Sequence, residues 1–187
     1  MLQTEELLSF LMSRRSIRRF KKTPLDISLV LKAIDVARYA PSSRNSQPWR
    51  FIIISDESLK NALSSIHQWA WPLREAPLGV LIACNTQESP LSYMLDCANA
   101  ATYFMLAAHA LGLGTVWIQT LRNTEKLREL LALPPDYVPI ALLAVGHPDE
   151  QPQVKTRRPL EEIVYINKFG EPFRSGSQLN REKLETS

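Results

Sequence analysis

The stretch from residue 39 to residue 51, YAPSSRNSQPWRF, places small polar side chains between two prolines, directly before an apolar segment. A connection between two elements needs only about two to six residues, and many turn sequences would serve. This one is a dense set of hydrogen-bond donors and acceptors, running through Ser42, Ser43, Arg44, Asn45, Ser46 and Gln47. We therefore interpret the stretch as more than a connection.

The residues on either side of this loop predict a helix before it and a strand after it. Apolar side chains recur at helical spacing over residues 26–39, and Pro41 disfavours helical backbone at Ala40. Residues 49–54 are rich in aromatic and β-branched side chains, which favours a strand. The same patterns predict helices over residues 5–13 (capped by Thr4), 58–67, 92–111 and 124–131, and strands over residues 78–84, 115–118 and 138–145.

Four strands separated by helices would be typical of a parallel, doubly wound sheet. Such sheets often carry a glycine fingerprint between a strand and a helix. The nearest match here, GLGTVW at residues 112–117, lacks the third glycine and lies between a predicted helix and a predicted strand. The sequence therefore argues against a Rossmann fold.

The predicted helix over residues 92–111 is apolar on nearly all sides and rich in alanine. Gly112 is placed to end it. A helix without a polar face must be surrounded by protein, and in a chain of this size a second subunit is one source of that cover.

Composition is that of one globular domain, with 187 residues, 45% hydrophobic and 22% charged. The net charge of +3 does not by itself predict a polyanionic partner. The N-terminus lacks the pattern of a signal peptide, and Asp96 interrupts the most apolar segment. These features predict a soluble, cytoplasmic protein with no membrane partner. Cys84 and Cys97 are then expected to be reduced, buried thiols.

Two basic clusters indicate a binding site for a phosphorylated ligand. The first, SRRSIRRFKK at residues 13–22, combines guanidinium groups with a serine hydroxyl, a set that suits a phosphate dianion. The second, KTRRPL at residues 155–160, follows the last predicted strand of the sheet. A solvated basic surface is the alternative interpretation of either cluster alone. Together with the polar loop, the two clusters predict a pocket for a large phosphorylated ligand.

No arrangement for hydrolytic or metal chemistry is visible in the sequence. The three histidines, His67, His109 and His147, lack metal-ligand spacing, and neither a nucleophile elbow nor a P-loop occurs. His109 is expected to be a satisfied core residue and Cys97 a packing residue. If the chain is an enzyme, a cofactor is expected to supply the reactivity.

Five segments in this order resemble the nitroreductase family of flavin enzymes: RRSIRRF, APSSRNSQPWRF, ALGLGTVWI, AVGHP and KTRRPLEE. The resemblance extends from Ser13 to about Glu162. It implies an α+β fold with a central mixed or antiparallel sheet flanked by helices, and a C-terminal arm that reaches the other subunit. It also implies a single domain over residues 1–170 that binds FMN, a polar tail over residues 171–187, and a homodimer with two flavin sites at its interface.

The resemblance also implies which residues bind the flavin, with no metal in the site. Those similar to the group on the phosphate, the ribityl chain and the pyrimidine edge are Arg14, Arg15, Ser16 and Arg18. Those similar to the basic pair that closes on the phosphate are Lys155 and Arg157. Those resembling the loop that lies against the isoalloxazine from the other subunit are Pro41, Ser42, Ser43 and Asn45. Those at the positions beside flavin N5 are Gln119 and Thr120; many family members have a glycine at one of these two positions.

The function implied by the resemblance is the NAD(P)H-dependent reduction of flat electrophiles, such as nitroaromatics, quinones and enones, by a ping-pong mechanism. The flavin would carry the chemistry, so no catalytic side chain is expected. A specialised flavin enzyme, a dehalogenase or one acting on the flavin itself, is the alternative within the family. Trp69 and Trp71 are interpreted as packing residues, although they could line a substrate site. A basic nucleic-acid-binding module is the alternative from another class, but only Phe20 offers an aromatic side chain among the basic residues.

Overall fold

The computed structural model describes residues 3–173, which fall into two compact units divided after residue 152. The first unit holds four strands and six α-helices among its described residues; the second holds one short helix. The elements are α1 Thr4–Ser13, α2 Ile27–Ala37, β1 Trp49–Ile54, α3 Glu57–Ser64, α4 Pro72–Glu75, β2 Leu78–Asn85, α5 Tyr93–Ala110, β3 Gly114–Ile118, α6 Thr124–Leu130, β4 Tyr137–Gly146 and α7 Leu160–Ile163.

The four strands of the first unit form one sheet in the order β1-β2-β4-β3, and every neighbouring pair is antiparallel. This confirms the α+β class and the central sheet flanked by helices. Trp49 pairs with Cys84 at one end of the sheet, and Leu78 pairs with Val145 at the other end. β1 and β3 are therefore the two edges of the sheet.

Helices cover both faces of the sheet, so every residue of β2 is buried. Alternate side chains of a strand point to opposite faces, and two core clusters result. Val80 and Ile82 pack with apolar residues of α2 and α5. Leu81 and Ala83 pack with residues of α3, α4 and α6 on the other face.

The second unit contains α7, followed by a turn that an isolated bridge between Tyr165 and Pro172 closes. The rings of Tyr165 and Phe169 are 4.5 Å apart between centroids. The predicted C-terminal arm and the predicted division at residue 170 stay predictions. Most of the predicted tail, from residue 174 on, lies outside the described residues.

The observed elements agree closely with the sequence-based boundaries, with corrections at their ends. β1 has the predicted limits, whereas α3 ends at Ser64 instead of residue 67. The prediction that Thr4 caps α1 is wrong, because Thr4 is the first helical residue and Gln3 precedes it as the cap. The Glu6 carboxylate accepts a hydrogen bond from the Gln3 amide, 3.1 Å away. α4 and α7 were missed because four residues are too few to show a helical period.

α5 confirms the predicted apolar helix without a polar face. One side is buried in the core, and the opposite side exposes Leu95 and Tyr103. Neither α5 nor any other helix within residues 3–173 has the length and apolar character needed to cross a membrane.

The expectation of two reduced thiols is wrong, since the structure joins Cys84 of β2 to Cys97 of α5 in a disulfide. Packing of α5 on the sheet brings the two Cα atoms to 6.1 Å, within the range that a disulfide spans. Cys97 lies 13 positions after Cys84 in the sequence, so only the tertiary fold shows that they meet. Both side chains are fully buried.

Reduction of this disulfide is expected to lower the free energy of unfolding by about 3 kcal/mol, the chain-entropy value for a loop of this length. Urea unfolding of the oxidised and reduced protein measures the difference. A Cys97→Ala variant serves as the control, because its stability should not respond to reductant. Two titratable thiols in the unreduced, urea-unfolded protein would contradict the pairing.

Candidate cofactor site

The first basic cluster follows α1 and runs beside the edge strand β3. Ser16 forms a parallel bridge with Thr115, and the Ile17 amide donates to the Thr115 carbonyl at 2.9 Å. Ile17 and Phe20 are buried. The close approach requires a glycine at position 114, because a Cβ there would lie 2.7 Å from the Cβ of Ile17.

Burial of Phe20 has a consequence for the nucleic-acid alternative. With 3% of its surface exposed, Phe20 cannot stack on a base, and it was the one aromatic side chain within that basic cluster. The alternative therefore loses the exposed aromatic side chain that it required within the basic cluster.

The arginines of this cluster differ in their availability. Arg15 is engaged, since its Nη1 donates to the carbonyl oxygens of Met12 at 2.6 Å and Arg14 at 3.0 Å, at the end of α1. The Arg18 amide donates to the Glu150 carboxylate, which leaves the Arg18 guanidinium on the surface. Within residues 3–173, neither Arg14 nor Arg18 forms an ion pair. Both can bind an anion.

His109 lies beside these arginines at the end of α5. Its Nε2 is 2.8 Å from Ser13 Oγ, and its ring stacks on Phe10 with centroids 4.9 Å apart. The side chain is thus satisfied, although it is half-buried at the edge of the unit and not in the core as predicted. Burial, followed by the positive charges of Arg14 and Arg15, holds the pKa of His109 below its ordinary value of 6.5.

The polar loop has an unusual backbone for residues with side chains. Arg44, Asn45 and Gln47 have φ values of 53°, 56° and 48°. Each residue in this left-handed region costs about 1–2 kcal/mol unless it is glycine, and asparagine tolerates it best. The backbone N–H of Gln47 donates to Ser42 Oγ at 3.1 Å, which helps to close the loop. Ser46 Oγ is buried and has no hydrogen-bond partner among the described residues.

The loop and the first basic cluster lie at opposite corners of the sheet. The loop leads into β1 at Trp49. Trp49 pairs with Cys84 of β2, and Cys84 pairs with Val138 of β4. The basic cluster joins β3 at Thr115, which is opposite Val145 of β4. Val145 lies seven positions after Val138, a distance of about 23 Å along the strand, and the edges β1 and β3 are separated by about 14 Å more across the sheet. One chain therefore does not bring the two groups together.

The residues after β3 are held by their own hydrogen bonds. Thr120 is fully buried, and its Oγ1 donates to the Ile140 carbonyl at 2.8 Å, so its side chain is not available to a ligand. The Gln119 side-chain oxygen accepts from the amides of Thr120 at 2.8 Å and Leu121 at 3.0 Å. Because Gln119 is exposed, its amide group could give way to a ligand that accepts from these two amides.

His67 is a neighbour of this position that sequence reasoning missed. Its Nε2 lies 2.9 Å from the Gln119 carbonyl oxygen, and its Nδ1 accepts from the Trp69 amide at 3.1 Å. No sequence signal links His67 to Gln119, which lies 52 residues further along the chain. Trp69 itself is 71% exposed, so its interpretation as a packing residue is wrong; Trp71 is half-buried.

The second basic cluster belongs to the second unit. Lys155 and Arg157 are exposed, and Arg157 Nη1 donates to the carbonyl oxygens of Lys155 at 3.0 Å and Thr156 at 3.3 Å. Their predicted role at the phosphate stays a prediction.

The fold and the site define a class of protein: an α+β chain whose antiparallel sheet carries, at opposite corners, the polar loop and the first basic cluster, residues 13–22, called the cationic segment below. The model of the nitroreductase family matches residues 11–93 and 72–147, which include both features. The chain belongs to the nitroreductase family, and the resemblance drawn from its motifs is confirmed.

Three relatives illustrate the likeness. The NADPH-dependent oxidoreductase of Staphylococcus aureus (strain USA300) is 29% identical over 189 residues, which cover 89% of this chain and 75% of that protein. The FMN-dependent nitroreductase from Clostridium difficile R20291 has a TM-score of 0.79 and 30% identity, covering 87% of this chain and 99% of that one. The NADPH:FMN oxidoreductase from Vibrio harveyi, solved with NAD+, has a TM-score of 0.80 and 26% identity, covering 88% of this chain and 78% of that one. The prediction of an oxidoreductase of this family is thereby confirmed.

The depressed pKa of His109 predicts a pH dependence of stability. The unfolded chain binds a proton at His109 more readily than the folded chain does. The contribution of neutral His109 to the free energy of unfolding is therefore complete above pH 6.5 and is lost as the pH falls below it. Replacing His109 by Gln removes the titrating ring, so the variant should lose less stability than the wild type between about pH 7.5 and about pH 5.5. Urea unfolding at both pH values tests this, and parallel losses in the two proteins would contradict it.

Proposed function

We propose that this chain is an FMN-dependent NAD(P)H oxidoreductase that reduces flat electrophilic acceptors, such as nitroaromatics, quinones and enones, and that two copies build each site. One observation carries the proposal: the cationic segment and the polar loop lie at opposite corners of the sheet in one chain. A two-fold related copy can place its loop against the cationic segment of the first.

The residues of the cationic segment suit the phosphate and ribityl chain of FMN. Arg14 and Arg18 have guanidinium groups without an ion pair among residues 3–173, and Ser16 adds a hydroxyl between them in the sequence. Thr115 Oγ1, beside Ser16, is buried without a partner among the described residues. A ligand with many hydroxyl and phosphate oxygens would satisfy such donors.

The polar loop suits the other end of the cofactor. An isoalloxazine presents one N–H donor and two carbonyl acceptors at its pyrimidine edge, and burying them unpaired would cost about 1–3 kcal/mol each. The exposed side chains of Ser43 and Asn45 and the orphaned Ser46 Oγ supply matching groups. Pro41 and Pro48 limit the freedom of the loop and so reduce the entropy that binding must remove.

An apolar surface on the first unit supports a homodimer. Leu7, Leu8 and Leu11 of α1 are each about half exposed, at 45%, 46% and 50%, and Leu95 of α5 is 68% exposed. Several large apolar side chains exposed on α1 and α5 favour a subunit interface that involves these helices.

FMN, when bound, supplies hydride chemistry between the nicotinamide and the acceptor, so the chain needs no strong acid or base of its own. Its residues bind and orient the reactants. The amides of Thr120 and Leu121 can donate to an acceptor atom once Gln119 moves away. Trp69, exposed beside His67, offers an aromatic face to a flat reactant, which favours this class of substrate.

A shared site predicts that paired variants complement each other. We expect Arg14→Ala and Asn45→Asp each to abolish most FMN binding in homodimers, through loss of a cation and of an amide donor. In a heterodimer of the two variants, one site has an intact segment and an intact loop. It should therefore hold about one FMN, half the wild-type content. FMN released from doubly tagged heterodimers and identified by mass measures this.

The matched control places both substitutions in one chain and pairs it with a wild-type chain. With shared sites, each site then contains one altered group, and the heterodimer should bind little FMN. A site built within one chain would give the reverse result: half the FMN in this control and little in the complementing pair. Wild-type protein that fails to bind FMN at micromolar concentrations would overturn the cofactor assignment itself.

A single reactant surface predicts ping-pong kinetics. The described residues offer one polar loop and one cationic segment per site, so NAD(P)H and the acceptor are expected to bind in turn. Double-reciprocal plots against NAD(P)H at several quinone concentrations should give parallel lines, with inhibition by high concentrations of either reactant. Intersecting lines with several acceptors would mean that both reactants bind together.

A further inference from the structure

Two side chains near the start of α5 hydrogen-bond to the backbone of the polar loop. Asp96, with 3% of its surface exposed, accepts a hydrogen bond from the Ser43 amide through Oδ1 at 3.0 Å. Its Oδ2 accepts from the buried Ser89 Oγ at 2.6 Å. One turn later, Asn99 Nδ2 donates to the Pro41 carbonyl at 3.2 Å. The helix thus grips the loop backbone at two points.

The carboxylate at this position is costly for the fold. Asp96 makes no ion pair within residues 3–173. Burying a charge without a countercharge lowers stability unless hydrogen bonds compensate. Here the compensation comes from the Ser43 amide, the Ser89 hydroxyl and the amino-terminal end of α5. The two hydrogen bonds form only while the polar loop and the segment around Ser89 stay in place. The buried charge of Asp96 is therefore stabilised only in that arrangement.

The base of this grip is rigid. Cys97, the next residue, is joined to Cys84 of β2, so the first turn of α5 is fixed to the sheet. The loop itself is strained, because Arg44, Asn45 and Gln47 have positive φ. Strained backbone persists only where its surroundings hold it.

The loop has room to move if the grip is lost. A cavity of about 380 Å³ lies between the loop and residues 88–92, and Ser43, Arg44 and Ser46 form one of its walls. In a tightly packed interior the loop could not shift, whereas here it can relax into open space.

We infer that Asp96 is a positioning residue for the cofactor: through the Ser43 amide it holds the polar loop at the place where Ser43 and Asn45 meet the isoalloxazine. The inference rests on the proposed function. Asp96 touches neither cofactor nor reactant, and its effect is expected in the binding and the spectrum of the flavin.

Three variants separate positioning from stability. Asp96→Ala removes both hydrogen bonds, and we expect FMN to bind about 10- to 100-fold more weakly, the range for a lost bond to a charged group. Asp96→Asn keeps an oxygen that accepts from the Ser43 amide, and its side-chain NH2 can donate to Ser89 Oγ. The affinity for FMN should therefore be close to that of the wild type. Ser89→Ala removes one bond to the carboxylate and leaves the Ser43 amide bonded, so FMN affinity should stay within about twofold of the wild type.

The measurements are FMN titration of the flavin-free proteins, the visible spectrum of the bound flavin, and hydrogen exchange of the Ser43 amide. In Asp96→Ala the Ser43 amide should exchange faster and the flavin bands should shift. In Ser89→Ala both should match the wild type even if the melting temperature falls. Should Asp96→Ala fail to fold, Asp96→Ser, whose hydroxyl is too short to reach the loop, replaces it with the same expectations.

The outcomes distinguish this inference from the proposed function. Wild-type FMN affinity and an unshifted spectrum in Asp96→Ala or Asp96→Ser would overturn the role of Asp96, while FMN binding by the wild type would leave the proposed function standing. Equal weakening of FMN binding in Ser89→Ala and Asp96→Ala would also overturn it, because general destabilisation would then explain both. A wild-type protein that binds no FMN would remove the proposed function and this inference with it.

Discussion

The antiparallel pairing of β2 with β4, buried on both faces, is the constraint on which the rest of the molecule depends. It places the start of β1 at one end of the sheet and the start of β3 at the other. The polar loop precedes β1, and the cationic segment pairs beside the start of β3. Their separation is therefore a property of the strand order and not of the loops themselves.

Under the proposed function, this separation means that a single chain carries two half-sites. The first basic cluster would then bind the phosphate end of the flavin nucleotide, and the polar loop of the other subunit would bind its isoalloxazine end. In the proposed dimer, the exposed apolar side chains of α1 and α5 would help to bring the two chains together. In the proposed dimer, cofactor binding and subunit association would stabilise each other, since both depend on the same pair of chains.

The structure also shows how a loop with strained backbone is held in one conformation. The positive φ values of Arg44, Asn45 and Gln47 would be unfavourable in an isolated peptide. Asp96 accepts a hydrogen bond from the loop and Asn99 donates one to it, and both residues lie on a helix that the Cys84–Cys97 disulfide joins to the sheet. These two hydrogen bonds offset that cost. A loop ordered in advance loses less entropy on binding, which is the general advantage of preorganisation.

The sequence by itself determined the family and the longer elements, whereas the four-residue helices α4 and α7 escaped it. The limits of β1 follow from its aromatic and β-branched residues, and the apolar helix α5 from its composition, because both signals are local. Only the tertiary structure decided that Cys84 meets Cys97, that Asp96 bonds the Ser43 amide, and that His67 lies at Gln119. It also decided that Arg15 binds the end of α1 and that Trp69 is exposed. Each of these features depends on which residues the fold brings together or on how a side chain packs. Periodicity and composition describe only residues that are neighbours along the chain, so they do not predict contacts or packing in three dimensions.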